Sequence, residues 1–199
     1  MVRIIAGEYR GRTISAPKGD ATRPTTDRVR ESLMSMIQSA AGFEDARVLD
    51  AFAGSGALGI EALSRGACSV QFYERAPVAL RTIQKNLATL GIDTRQARVQ
   101  KGDVLSNAQS LYGIFDIVFL DPPYAYDAEQ IIGFLSELYQ GQKLASDAVC
   151  VYEHDAKDDQ SVDNSLASSP FELLKRKRFG DTMVDLIVIK DDSHDGEER

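Results

Sequence analysis

Val48-Leu49-Asp50-Ala51-Phe52-Ala53-Gly54-Ser55-Gly56-Ala57-Leu58-Gly59 carries a strand-like apolar run directly into a glycine loop and then into a helix-forming stretch. Glycines there let the backbone turn tightly and approach a ligand, while the helix start presents unpaired amide donors. Gly54, Gly56 and Gly59 fit the Gly-x-Gly-x-x-Gly spacing of nucleotide-binding βαβ units. Alone, that spacing also suits a dinucleotide. The next apolar run, residues 70–74, ends in Glu74, about 20 residues beyond Gly54, where a carboxylate can accept both hydroxyl protons of a ribose. Asp103 repeats that position one strand later, where it suits the N-cap of a helix from Val104 and its side-chain oxygen can also receive an adenine amino group.

Outward from this loop the chain alternates short apolar runs with helical stretches, which predicts an α/β fold with a largely parallel, Rossmann-like sheet. Strands are expected at about 47–52, 69–74, 97–101, 115–120 and 147–153. A helix begins near Pro77, with Leu80, Ile83, Leu87 and Leu90 on one face. Residues 171–179 and 182–190, joined by Gly180-Asp181, read as a hairpin that adds an antiparallel strand. Residues 155–169 read as a polar loop. Before the sheet, residues 3–16 suit an arginine-bearing hairpin and Thr26 a cap for a helix carrying Val29, Leu33, Ile37 and Ala40. The expected divisions are a hairpin-and-helix appendage at 1–45, a catalytic domain at 46–190 and a disordered acidic tail at 191–199.

The 199 residues, 43% hydrophobic and 27% charged, suit one large domain. Cys68 and Cys150, far apart and each in an apolar run, read as buried reduced thiols, so neither disulfide nor metal is expected. No apolar stretch approaches a membrane span, and the start is too soon polar for a signal peptide, which places the protein in the cytoplasm. The net charge of -7 argues against a nucleic-acid partner only until its distribution is considered. Arg3, Arg10, Arg12, Lys18, Arg23, Arg28 and Arg30 outweigh Glu8, Asp20 and Asp27 at the start, and the acid concentrates in the last nine residues.

Asp121-Pro122-Pro123-Tyr124 closes the run 115–120 at the carboxyl end of a strand, where open α/β sheets bind ligands. Two prolines fix the backbone. The Asp121 carboxylate and the Pro122 carbonyl can then each take one N–H of an exocyclic amine, aiming its lone pair at an electrophilic methyl group. Tyr124 would stack on an unstacked base. Adenine and cytosine amines, as in DNA methylation, fit the tetrapeptide as well as guanine does. An oxidoreductase would leave it without a purpose, and an RNA-binding chaperone would need no cofactor.

Residues 50–59 with Glu61-Ala62-Leu63-Ser64-Arg65-Gly66-Ala67 closely resemble the RsmD family, bacterial small-subunit ribosomal RNA guanine-N2 methyltransferases. The resemblance extends to residues 3–7, Arg10-Gly11-Arg12, Arg23-Pro24-Thr25, residues 27–31 and Asp121-Pro122-Pro123-Tyr124. It implies a seven-stranded sheet with an antiparallel last strand and S-adenosylmethionine as cofactor. By the same resemblance Asp50, Ala53, Gly54 and Gly56 line the methionine part, Glu74 holds the ribose, and Asp103 with Val104 contacts adenine. Phe52, Ser55, Arg75 and Asp121 complete the expected cofactor set. Asp121, Pro122 and Tyr124 would serve the guanine, and Arg10, Arg12, Arg23, Thr25 and Arg28 would grip RNA, either free or in the assembled small subunit. The run Lys175-Arg176-Lys177-Arg178 suits either RNA contact or protection of a sheet edge. His154 and His194 are assigned no role.

Overall fold

The computed structural model describes residues 1–17, 27–123 and 125–191. A hairpin of β1 (Val2–Arg3) and β2 (Thr13–Ile14) precedes helix α1 (Asp27–Ala40). Then come β3 (Arg47–Asp50), α2 (Ala57–Ser64), β4 (Ser69–Glu74), α3 (Pro77–Leu90), β5 (Ala97–Lys101) and β6 (Phe115–Leu120). The chain continues through α4 (Ala128–Gln140), β7 (Leu144–Asp155), α5 (Asp159–Ala167), β8 (Phe171–Phe179) and β9 (Thr182–Ile189). The sheet order is β5-β4-β3-β6-β7-β9-β8, with β9 antiparallel to both its neighbours and the rest of the ladder parallel. The order reverses beside β3, so the ends of β3 and β6 flank the crevice where such sheets take ligands.

Alternating side chains on the sheet feed two cores. Val48, Phe72, Ile117, Val151 and Val184 pack with α2, α3, the hairpin residues Ile4 and Ile14, and Leu33, Met34 and Ile37 of α1. Leu49, Val118, Cys150 and Ile187 pack with α4 and α5 on the other face. The N-terminal hairpin and helix therefore share one core with the sheet. Polar ties reinforce this: the buried Glu61 carboxylate accepts the Ile5 and Ala6 amides at 2.8 and 3.0 Å and Arg65 Nε at 2.9 Å. A buried charge is tolerated when its lone pairs are so occupied. Gly7, at φ 80°, lies against the Ser64 carbonyl so closely that any Cβ would collide with it.

Two expectations need correction. Residues 155–169 are not a loop: a short 3-10 turn leads into α5, whose Val162 and Leu166 are buried against the second core. Cys150 is buried but Cys68 is exposed, because it sits in the turn before β4 rather than in the strand. The expected cap Thr26 and all but the first residue of the acidic tail lie outside the described residues. No helix among the described residues is long and apolar enough to cross a membrane.

Candidate active site

The three glycines of the loop serve three different needs. Gly54 (φ 54°) and Gly56 (φ 79°) adopt left-handed conformations that L side chains avoid. The space above Gly54 is open, leaving room for a ligand, whereas Gly59 sits so close to β4 that a Cβ would meet the Phe72 ring. The loop is pinned from both flanks. Ala53 donates to the Tyr73 carbonyl at 2.9 Å, and the Gly54 amide to the Glu74 carboxylate at 2.9 Å. The Asp50 carboxylate accepts the Gly59 amide at 3.0 Å, holding the first turn of α2 against the end of β3.

Glu74 also accepts the Ala76 amide at 2.7 Å. With two of about four lone-pair sites used, it can still accept ribose hydroxyls. In place of the expected helix from Val104 there is a 3-10 turn, Leu105–Ser110, with Val104 itself at the cap position; Asp103 accepts the Leu105 amide at 3.1 Å, and its other oxygen takes the Tyr126 hydroxyl at 3.0 Å. Tyr126 was not foreseen. Its ring lies 5.6 Å from that of Phe52, and the Arg75 guanidinium stands 5.8 Å from its centroid. Phe52, Arg75, Asp103 and Tyr126 thus form one wall of the crevice. The Val104 side chain is buried in the core and its carbonyl accepts the Asn107 amide at 2.9 Å.

Asp121 follows β6 directly, and the turn after it is set by Tyr126 N donating to Pro123 O at 3.1 Å. The next helix, α4, starts one residue later with a capping box between Asp127 and Gln130, so the motif is held between two rigid elements. Tyr124 lies outside the described residues. Asp121 keeps access to solvent at the crevice floor, yet the protein crowding around it pushes its carboxyl up to about 6. Burial, opposed by the Gly59 amide and aided by Asp121 and Glu74, pushes Asp50 up to about 7. Glu153, near the end of β7, is pushed up to about 8 by burial and by Asp121.

Glu153 also escaped the sequence reading. Its signal was available, since it follows the apolar run 148–152 much as Asp50, Glu74 and Asp121 close theirs. Among the described residues, no lysine or arginine forms an ion pair with Asp50, Glu74, Asp121 or Glu153. Asp50, Glu74 and Asp121 act on one another beside the glycine loop, and with Arg75 turned to the Tyr126 ring this favours a positively charged ligand and disfavours the pyrophosphate of a dinucleotide. A sulfonium and an α-ammonium group fit this basin, and the open space at Gly54 admits them.

Residues 2–188 match the family model described as Conserved hypothetical protein 95. The chain is 38% identical over 170 residues to the Ribosomal RNA small subunit methyltransferase D of Escherichia coli, covering 85% of this chain and 79% of that protein. Its Haemophilus influenzae namesake is 43% identical over 140 residues, 68% of this chain and 71% of the relative. This chain belongs to the RsmD family. A solved Escherichia coli structure, assigned provisionally as a methyltransferase, superposes on this RsmD-family chain with a TM-score of 0.76 at 34% identity, covering 95% and 98% of the two chains.

The expected RNA-binding residues of this RsmD-family chain divide by environment. Arg10 and Arg28 are exposed. Arg12 donates to the Thr89 and Leu90 carbonyls at 2.6 and 3.2 Å, capping the end of α3. Arg23 and Thr25 lie outside the described residues. In the basic run of β8, Arg176 turns inward to Asp185 and Asp163, while Lys177 reaches Ser32 of α1 at 2.7 Å and Arg178 donates to Gly180 O. Asn86 is a further residue the sequence reading missed. It donates to Ser15 O and Ser55 O at 2.9 and 3.0 Å and accepts the Ser15 amide at 2.8 Å, joining the N-terminal segment to the glycine loop.

Proposed function

We propose that this protein transfers a methyl group from S-adenosylmethionine to the exocyclic N2 of a guanine in small-subunit ribosomal RNA. The observation that carries the reading is the unpaired acidic basin at the glycine loop, opening onto Asp121-Pro122 at the end of β6. S-Adenosylmethionine supplies the electrophilic methyl group. Glu74 and Asp103 would hold its ribose and adenine, Asp50, Ala53, Gly54 and Gly56 its methionine part, with Phe52, Ser55, Arg75 and Val104 around them.

The Asp121 carboxylate and the Pro122 carbonyl accept the two amine protons and fix the direction of the lone pair. Such positioning by preorganised acceptors supplies catalysis without a metal or a covalent enzyme intermediate. Tyr124 is assigned the face of the extruded base by its place in the motif. Residues 1–45 form the RNA-binding part, through Arg10, Arg23, Thr25 and Arg28 and any donors of Arg12 that α3 leaves free, and the enzyme works in the cytoplasm where ribosomes assemble. The oxidoreductase reading loses support, since the basin would repel a pyrophosphate.

The test is transfer of labelled methyl groups to naked ribosomal RNA and to small subunits, with the product nucleoside mapped by mass spectrometry. N2-methylguanine is expected. Label in DNA, or in an adenine or cytosine, would overturn the assignment. Asp121→Ala should keep cofactor binding and lose methyl transfer almost completely.

A further inference from the structure

β6 and β7 are neighbouring parallel strands in which Leu120 stands opposite Tyr152. The residues that follow are Asp121, the first past the end of β6, and Glu153, still within β7, so the two lie side by side at the carboxyl end of the sheet, close enough for Asp121 to act on the Glu153 carboxyl. Alternation puts both carboxyls on the sheet face that carries Phe119 and Val151, which is also the face of Val48 and hence of Asp50. Among the described residues, no hydrogen bond or ion pair engages the Glu153 side chain, although the residue is half-buried. An acid placed against another acid without a partner of its own is costly to keep. A ligand that offers a donor removes the cost.

The chemistry of the three amino-bearing bases identifies that donor. The amine of adenine is flanked by the N1 acceptor and a carbon, and the amine of cytosine by the N3 acceptor and a carbon. Only the guanine amine has an N–H at its side, on N1. Resting on the functional reading above, we propose that Glu153 is the specificity-determining residue of this enzyme, accepting guanine N1–H while Asp121 and Pro122 hold the N2 amine. Adenine or cytosine would turn an acceptor toward the Glu153 carboxylate and be repelled. The repulsion belongs to the ionised carboxylate, the form that a nearby sulfonium cation favours.

The test uses the full chain and small-subunit RNA assembled by ligation with either guanine or 2-aminopurine at the mapped target position. 2-Aminopurine keeps the exocyclic amine but lacks N1–H. Wild-type enzyme should prefer guanine, and Glu153→Ala should lower kcat/KM on guanine by roughly 10- to 100-fold, the range for a hydrogen bond to a charged group. Its rate on 2-aminopurine, whose N1 is an acceptor that the carboxylate repels, should rise above that of the wild type, an outcome that misfolding could not produce. Glu153→Gln, with a carbonyl still able to accept N1–H, should recover much of the guanine rate. Equal losses on both RNAs, or no loss on guanine, would overturn the role of Glu153 while leaving the enzyme's function intact. Failure of wild-type enzyme to methylate guanine N2 at all would overturn both.

Discussion

The buried Asp50 carboxylate accepts the Gly59 amide at 3.0 Å, joining the end of β3 to the first turn of α2 across the glycine loop. That amide is one of the donors a helix start leaves without an internal partner. Asp50→Ala should therefore cost about 1–3 kcal/mol in urea unfolding, the penalty for orphaning a buried donor. Asp50→Asn keeps an acceptor and should unfold near the wild-type midpoint at about pH 4, where Asp50 is still protonated when folded, while losing affinity for S-adenosylmethionine. Because folding raises this carboxyl to about 7, it costs stability above that pH and nothing below its unfolded value. The empty wild-type protein should accordingly lose stability relative to Asp50→Asn as pH rises from about 4 to 7.

Cofactor affinity should depend on pH in the opposite sense. Asp50 and Asp121 are pushed up to about 7 and about 6, so acidification fills the basin with protons and weakens its hold on a cation. The Kd for S-adenosylmethionine should rise as pH falls from about 8 to 6, with protons released on binding. S-Adenosylhomocysteine, which lacks the sulfonium charge, should show the shallower dependence. Calorimetry in buffers of different ionisation enthalpy measures both effects.

Gly54→Ala and Gly59→Ala should separate binding from folding. At Gly59 the added methyl meets the Phe72 ring and should cost about 1–3 kcal/mol of stability through overpacking. At Gly54 there is space, and the left-handed backbone should cost only about 1 kcal/mol. Its larger effect should be on cofactor binding, because the methyl occupies the open side of the loop. Paired unfolding and binding curves distinguish the two outcomes.

Arginine substitutions should sort contacts to RNA from contacts within the protein. Arg10→Ala and Arg28→Ala should each reduce the slope of log Kobs against log salt by about one and leave stability unchanged. Arg12→Ala should destabilise by about 1 kcal/mol, since it strips the carbonyls at the end of α3 of their cap. Filter binding across a salt series, with thermal unfolding alongside, tests the division.

Asp185 supports the hairpin end of the sheet. Fully buried, it accepts Arg176 Nε and Nη2 at 2.8 Å each and faces His154 Nε2 at 3.1 Å. Asp185→Asn should cost about 3 kcal/mol by leaving Arg176 only the half-exposed Asp163 as a charged partner. His154 is held above its ordinary value, chiefly by its bond to Asp185 working against burial. Its share of stability is present below the unfolded histidine pKa and lost as pH rises through the folded one, a dependence that the variant should flatten in urea titrations from pH 5 to 8.

Parts of this arrangement were legible in the chain and parts were not, for identifiable reasons. The β8–β9 hairpin was visible because Gly180-Asp181 interrupts two extended runs, and α3 because four apolar residues share a face behind Pro77. Helix α5 was missed. It offers only Val162 and Leu166 as a buried stripe in a polar stretch, and packing against the second core, not local propensity, makes it a helix. Tyr126 was missed because its partners Phe52, Arg75 and Asp103 come from three other connections.

By itself the sequence determined the strand-and-helix alternation, the glycine loop, the acids at the ends of β3, β4 and β6, and the Asp121-Pro122-Pro123-Tyr124 motif, because each is written in residues near one another. What only the tertiary structure decided is which of these meet. Parallel pairing of β6 with β7 sets Asp121 beside Glu153, and α2 and α3 bind the N-terminal hairpin through Glu61, Ser64 and Asn86. The acidity beside the loop is likewise a property of the assembled site. Charge in a crevice is the sum of side chains that the fold brings together, and no single stretch of chain contains it.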